Sequence, residues 1–531
     1  MSRARGLVAL AGVVAVALLL LSGRSGSDPQ TPAGLPGMPP PFLGVAVLGD
    51  GQLTAAVDAY GDVVDLRQGP AGPALIENPA GPQAAGTVEE DTGIQVWARV
   101  GDEMLPMRRA DEVRQRYLPG SNVLRTVAIF GRERVQITQA AGASLLIDAR
   151  SAIPVEARVN ADARCEQRQT AGGLTIVCSR DRTQLSPVCG DNCVRLRLAD
   201  AAAADRRWLR RARPLGAGAP TWARAMYERS LLVLHALADR GSGAVAAGAR
   251  DGWAYVWPRD ASAAAIAYSA AGYQPEAERT TQFLLGLGLE HAARFHGDGS
   301  PVPGRAGQGD AIGWVAAASR AAGIVGSARQ AAHILAGGGP VPWRGRADYW
   351  EGGAGDYLGN ALASHADVSE FTGPIHAASS DTPLVGLVRE AGNPGSGLDS
   401  AAAWGVRPFP HPGLYPAIRR TLKSLVAERT RFGITPGAGW TGGDDPWSAP
   451  TAWTAWSLAA LGGRREALTL IGDLRRTATP AGDLPERVDA ETGIPRSTTP
   501  LAWSHAFAIL ALQELWPART ASTSTPSRSR N

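Results

Sequence analysis

The chain changes texture near residue 205, and any fold must accommodate that change. Before it, QLTAAVDAYGDVVDL (52–66) and NVLRTVAIFGRERVQITQ (122–139) are short β-rich runs broken at Tyr60-Gly61 and Gly131-Arg132, the mark of antiparallel hairpins. Repeated over 43–205, such runs predict a β-sandwich. After it, ADRRWLRRARPLGAGAPTW supplies a short basic linker helix, placed at 206–221, and a Gly/Pro break. Runs such as WARAMYERSLLVLHALAD then carry apolar residues at helical spacing over 222–517, as roughly a dozen alanine- and leucine-rich segments separated by Gly/Pro loops. No strict repeat joins them, so a closed toroid of helix pairs fits better than an open solenoid with polar caps.

The ends of the chain are different in kind. Arg3 and Arg5 precede the apolar run LVALAGVVAVALLLLS (7–22), short for a comfortable membrane span and long for the apolar core of a secretory signal. Residues 1–24 are therefore read as a signal peptide or an uncleaved membrane anchor, and both readings place the folded body outside the cytoplasm. A Pro/Gly/Ser linker follows at 25–42, and the tail 518–531 is expected to be disordered. Cysteine usage agrees with export: Cys165, Cys178, Cys189 and Cys193 lie close together, an even number suited to one or two disulfides. Their spacing lacks the paired knuckles of a zinc site, so no metal is expected. A formal charge of +4, with Lys423 the sole lysine among 53 basic residues, argues against a nucleic-acid partner. A monomer is expected.

Thirteen of the fifteen tryptophans follow residue 220, and Trp253, Trp257, Trp343, Trp350, Trp440 and Trp447 sit beside Gly, Pro or charged residues, where a core tryptophan is out of place. Flat indoles stack on the C–H faces of sugar rings, so these six are read as a sugar-binding set, while Trp453 and Trp456 are read as core. Two glutamates share the setting: Glu351 in ADYWEGG and Glu486 in DLPERVD. A desolvated carboxyl keeps its proton and can act as an acid, while a solvated or arginine-paired one stays ionised as a base. Such a pair is what cleavage of an acetal needs.

WPRDA (257–261), DYWE (348–351) and LPERVD leading to PLAWSHA (484–506) occur in the order and approximate spacing seen in glycoside hydrolase family 15, the glucoamylase and glucodextranase family, which the chain resembles. DGQLTAAVDAYGDVVDL and SNVLRTVAIF are similar to strands of the N-terminal sandwich of its prokaryotic members. The resemblance implies an antiparallel β-sandwich followed by an (α/α)6 barrel that takes the non-reducing end of an α-glucan or related oligosaccharide. It assigns Glu351 as general acid and Glu486 as general base, about 6.5–9.5 Å apart for an inverting reaction. It makes Arg259 and Asp260 clamps on the terminal sugar and Trp257 a wall of the pocket. Trp350 and Trp503 belong to the same motifs, and Asp310 and Trp447 fall at pocket positions. No cofactor beyond water is implied.

The chain also departs from that pattern. Gly352 stands where a second acidic residue is frequent, GAGWTGGDDPW (437–447) lacks the usual arginine, and Arg487 replaces a common glutamine. A cation beside Glu486 is expected to lower its pKa. These changes bear on the substrate more than on the reaction. Trehalase or glucodextranase activity shares the chemistry, and a non-catalytic glucan-binding protein of the cell envelope is the competing class, although a pure binder needs no acid and base together.

Overall fold

The computed structural model describes residues 34–77, 93–160, 164–170, 172–179, 192–250, 252–351, 353–366, 368, 371–376, 383–387, 397–437, 440 and 443–518. Residues 1–33, read above as a signal peptide or anchor and part of a linker, Cys189, Gly352 and the residues beyond 518 lie outside them. Among the described residues no helix is long and apolar enough to cross a membrane.

The N-terminal domain is a sandwich of two antiparallel sheets. Its strands are β1 (Gly44–Gly49), β2 (Leu53–Asp58), β3 (Val63–Gln68), β4 (Ala74–Ile76), β5 (Gly93–Val100), β6 (Glu103–Pro106) and β7 (Glu112–Tyr117), then β8 (Leu124–Phe130), β9 (Glu133–Ala141), β10 (Leu145–Ser151), β11 (Val155–Asn160), β12 (Arg164–Thr170) and β13 (Gly173–Ser179). One sheet runs β1-β2-β3-β5-β11, with β4 on β3 and β6 on β5; the other runs β12-β13-β10-β9-β8-β7. β8 shows why the pattern works: Leu124, Thr126, Ala128 and Phe130 are buried and the residues between them are not, as a two-residue period demands. Gly131, at φ 60°, supplies the left-handed residue of the two-residue turn that pairs Phe130 with Glu133. Cys165 and Cys178, directly opposite on β12 and β13, form a disulfide, and Cys193 is disulfide-bonded as well.

The linker helix α1 (Cys193–Leu209) begins well before the basic run at 206. Its first turn reads VRLRL, which alternates like a strand, but the alanines that follow favour helix, and Val194, Leu198 and Ala202 pack on Val123, Ala140 and Leu146 of the sandwich.

The C-terminal domain is an (α/α)6 barrel. Its helices are α2 (Thr221–Leu237), α3 (Pro258–Ala270), α4 (Gln274–Leu285), α5 (Ala311–Ala321), α6 (Ala328–Leu335), α7 (Leu358–Ala363), α8 (Tyr415–Glu428), α9 (Ser448–Ala460), α10 (Arg464–Thr477) and α11 (Ala502–Leu515). α3, α5, α9 and α11 are buried almost all round and form the inner ring; α4, α8 and α10 bury one stripe and lie outside. These are ten α-helices among the described residues, where the sequence suggests about a dozen. A 3-10 segment, Ser400–Gly405, fills one inner place, tied to α9 by the Trp453 indole on the Ser400 carbonyl (3.0 Å) and the Ser457 hydroxyl on the Ala403 carbonyl. A hairpin of β14 (Thr372–His376) and β15 (Pro383–Leu387) packs beside α8, where the Leu387 N–H meets the Thr421 hydroxyl at 2.9 Å.

The two domains meet through buried polar groups. The Asn122 amide donates to the carbonyls of Gly49 and Leu232, Arg229 reaches Asn122, and Tyr117 of β7 donates to Asp483 at 2.8 Å. Asp483 also pairs with Arg229 of α2 at 3.2 Å. It lies three residues before Glu486, so the sandwich braces the segment that carries one of the two glutamates.

Candidate active site

The loops that precede inner helices converge at one end of the barrel. Trp257 caps α3, whose first residues are Pro258, Arg259 and Asp260; Asp310 caps α5, Trp447 caps α9, and Leu501 precedes α11 and its Trp503. Proline at the first helical position is pre-shaped for a helix start, and each such start fixes the loop before it. WPRDA, DDPW and PLAWSHA are thus starts of inner helices, and DYWE and LPERVD are turns that the ring brings beside them.

They enclose a cavity of about 740 Å³. Both Glu351 and Glu486 line it, with Arg259, Asp260, Trp257, Trp350, Trp447 and Trp503. Asp310 does not: it sits behind Arg259, its carboxylate 3.0 Å from the guanidinium. Trp253 and Trp440 also line the cavity, whereas Trp343 packs against Phe371 in the core, 6.0 Å between ring centres, and leaves the sugar-binding set. A glycine-rich context does not separate a platform from a buried wedge. Trp453 and Trp456 are core residues. Trp350, Trp440 and Trp447 form an edge-to-face chain at 5.7 and 5.1 Å, a rigid aromatic wall.

The floor is a network of buried charge. Arg259 donates to Gln308 at 2.9 Å and to Asp310, lies 3.7 Å from Asp260, and stacks over the Trp503 ring at 4.6 Å. One cation thus serves several anions. Burial pushes the Asp260 carboxyl up to about 7; Arg259 pulls it down, but Glu486 and Asp310 add to the rise.

Glu486 is held on every side. Its N–H donates to the Thr498 carbonyl (2.9 Å), its carbonyl accepts from Ser448 (3.0 Å), and its carboxylate accepts from the Trp253 indole (3.3 Å) and the Ser497 hydroxyl. Two residues earlier, the Leu484 N–H donates to His505 Nε2 at 2.9 Å, and His505 Nδ1 lies 2.9 Å from the Ser230 hydroxyl. Accepting at Nε2 requires a neutral ring, and burial together with the Arg229 charge pushes the His505 pKa well down. Desolvation raises the Glu486 pKa; Ser497, Trp253, Arg487 and Arg250 each oppose it without overcoming burial. The lowering expected from Arg487 is therefore present, but it is the smaller effect. Arg487 stands 3.7 Å from Asp445, which draws part of its charge away.

Glu351 is held differently. It ends a tight turn in which its N–H donates to the Asp348 carbonyl (3.0 Å), and its φ of 56° is the left-handed conformation that a side chain with a Cβ disfavours. The Trp257 indole donates to its carboxylate at 2.8 Å, Gln308 reaches it at 3.4 Å, and Arg305 makes an ion pair with it. The arginine-paired carboxylate is thus Glu351 and the desolvated one Glu486, so the environments fall opposite to the roles that the resemblance assigns. Arg294, Arg305, Gln308 and Ser497 are site residues that sequence reasoning misses. Arg305 lies in the loop GDGSPVPGRAGQGD, whose Gly/Pro content reads as a connection only; nothing local marks its reach to Glu351.

No protein-family model matches the chain, and no curated protein sequence matches it. Solved structures do. A bacterial glucoamylase complexed with acarbose is similar over 93% of this chain and 96% of its own, with a TM-score of 0.65 at 14% identity. A wild-type glycosidase (56% of this chain, 99% of its own, TM-score 0.47, 20% identity) and the glucoamylase from Saccharomycopsis fibuligera (56%, 95%, 0.46, 13%) are more distant. The first likeness spans both domains, and at that identity it is a likeness of fold: sandwich followed by (α/α)6 barrel.

Proposed function

We propose that the protein is an exported glycoside hydrolase that removes single glucose units, with inversion, from the non-reducing ends of α-glucosides. One observation carries the reading: Glu351 and Glu486 line a single cavity whose floor is the Arg259–Asp260–Asp310 cluster and whose wall is tryptophan. The ordered family-15 motifs and a fold shared with a bacterial glucoamylase support the same reading.

The terminal ring stacks on the indoles and hydrogen-bonds its hydroxyls to Arg259 and Asp260. Glu351 gives its proton to the glycosidic oxygen as the C1–O bond breaks. Water attacks C1 from the opposite face, and Glu486 takes the proton that the water loses. The burial that raises the Glu486 pKa suits this task, because it makes the ionised carboxylate a stronger base for the water's proton. No metal or cofactor enters the scheme. We place the body outside the cytoplasm, carried there by the leader at 1–24, and take it to act as a monomer.

The test is proton NMR of wild-type protein with α-1,4-, α-1,6- and α,α-1,1-linked glucosyl oligosaccharides, the last two covering glucodextranase- and trehalase-like preferences. The expected first product from the α-1,4- and α-1,6-linked members is β-glucose, and the α,α-1,1-linked member is expected to give β- and α-glucose in equal amounts, the α-anomer being its leaving half. α-Glucose first from the non-reducing end of the α-1,4 or α-1,6 members, or α-glucose alone from the α,α-1,1 member, removes inversion; tight binding with no turnover on any member favours the envelope-binding alternative.

A further inference from the structure

The side of the cavity around Glu351 carries more positive charge than a neutral sugar needs. Arg294 lines it with its guanidinium over the rings of Tyr255 (4.7 Å) and Trp257 (5.7 Å), and among the described residues it meets no carboxylate. Its Nε is buried without a hydrogen-bond partner. Partial burial pushes the Arg305 pKa down, and the nearby Arg294 charge pushes it further, against the pull of Glu486. Two neighbouring guanidiniums repel, and keeping them together in a partly desolvated wall costs stability unless an anion joins them. Arg305 has Glu351; among the described residues Arg294 has the π-faces of Tyr255 and Trp257.

Position decides what the anion belongs to. Arg259 and Asp260 are almost fully buried at the floor, whereas Arg305 is 46% exposed and Glu351 23% exposed. On the reading that Glu351 protonates the leaving oxygen, the groups packed around it toward the open side meet the leaving half of the substrate. We propose that this half carries an oxyanion, a carboxylate or a phosphate, bound between Arg294 and Arg305. Binding there also does something for the reaction. The substrate anion competes with Glu351 for Arg305, and a Glu351 carboxyl freed from its ion pair takes up the proton that an acid must hold before it can give it to the glycosidic oxygen. A neutral substrate leaves that ion pair intact. The missing arginine in 437–447 is thus accompanied by cations elsewhere in the pocket.

The inference rests on the hydrolase reading, so its test measures turnover and binding separately. Matched α-1,3- and α-1,4-linked glucosyl disaccharides that differ only at C6 of the leaving ring, bearing CH₂OH, carboxylate or phosphate, are offered to the wild-type protein. We expect kcat/KM for one anionic series to exceed the neutral one by at least ~10-fold, the lower end for charge-assisted hydrogen bonds. Which series leads identifies the anion as carboxylate or phosphate. In Arg294→Met and Arg305→Met the anionic-to-neutral ratio is expected to fall toward one, most steeply for Arg305→Met, which also frees Glu351 for neutral substrates. Calorimetric titration of the same disaccharides into Glu486→Gln reads the anion preference without turnover. Anion-selective binding with no hydrolysis by wild type keeps this inference and removes the hydrolase reading. Hydrolysis with equal or better rates on the neutral member, and a ratio unmoved by either arginine substitution, overturns the inference and keeps the hydrolase.

Discussion

Glu486 and Glu351 reach the same cavity from supports of opposite stiffness. The Glu486 segment is pinned by backbone bonds to Thr498 and Ser448, by His505 under Leu484, and by Tyr117 and Arg229 on Asp483, so that even the β-sandwich braces it. The Glu351 turn is anchored through Asp348, Trp257 and Gln308, and its charge is met by Arg305, a half-exposed side chain from a Gly/Pro loop. The difference matches what the two proposed roles ask for. A base that orients one small water must stay in one place, whereas an acid must follow leaving groups of different shape and change its protonation as they bind. It also accounts for environments that run opposite to the proposed roles: burial surrounds Glu486, whereas Glu351 is met by a half-exposed arginine that a substrate group can draw away.

Substitution of the rigid partner should cost most. Glu486→Gln keeps the hydrogen-bonding shape and removes the base, and we expect kcat to fall by ~10³ or more on every substrate, with thermal stability at neutral pH equal to or above wild type because a buried charge is gone. A smaller loss, or one that depends on the leaving group, would exchange the two roles. Glu351→Gln should lose at least ~10² on disaccharides but far less on aryl α-glucosides whose phenolate leaves without a proton. Equal losses on both substrate types would deny Glu351 the acid's part. The support under Glu486 comes next. His505→Leu leaves the buried Leu484 N–H without an acceptor, and an orphaned buried donor costs about 1–3 kcal/mol. Urea unfolding should show that loss, and kcat should drop several-fold with KM little changed if His505 positions the base; loss of stability at unchanged kcat would make it a packing residue only.

Much of what was legible of this site in the sequence is bound to helix starts, while Glu351 and Glu486, also legible, lie on turns between helices. WPRDA, DDPW and PLAWSHA each combine a turn, a proline or tryptophan at or beside the cap, and an inner helix too apolar to lie anywhere but in the ring. The sandwich was equally legible, because a two-residue period with glycine at the turn admits few alternatives; β8 and β9 are an example. Arg294, Arg305 and Ser497 were not legible, since their role depends on which loops the toroid brings side by side. Trp343 shows the converse: its local context matches that of Trp440, and only packing against Phe371 tells the two apart. The start of α1 was displaced for a related reason, since the sandwich face beneath it, and not its own alternation, decides that VRLRL is helical.

The smallest effect concerns Arg487, the residue beside the base. Its positive charge favours the ionised carboxylate of Glu486 and so works against burial, which holds the Glu486 pKa above the ordinary glutamate value. Arg487→Gln removes that opposition and should raise the Glu486 pKa further, though only slightly, because the cation is partly exposed and already shared with Asp445. Since the base must be ionised to act, the acid limb of the kcat/KM profile moves to higher pH. Stability follows the same proton. A carboxyl whose folded pKa lies above its unfolded one favours the fold below the unfolded value, and that contribution is lost as pH rises through the folded value. In Arg487→Gln this loss should extend to higher pH than in wild type. The Glu351 side supplies the contrast: Arg305 pairs directly with Glu351, so Arg305→Met should move chiefly the basic limb, where the acid loses its proton, and shift the acid limb less, since Glu486 feels the Arg305 charge without pairing with it. Acid limbs that shift alike in the two variants would mean that the two carboxyls titrate as one coupled pair, and the contrast between a fixed base and a switched acid would dissolve.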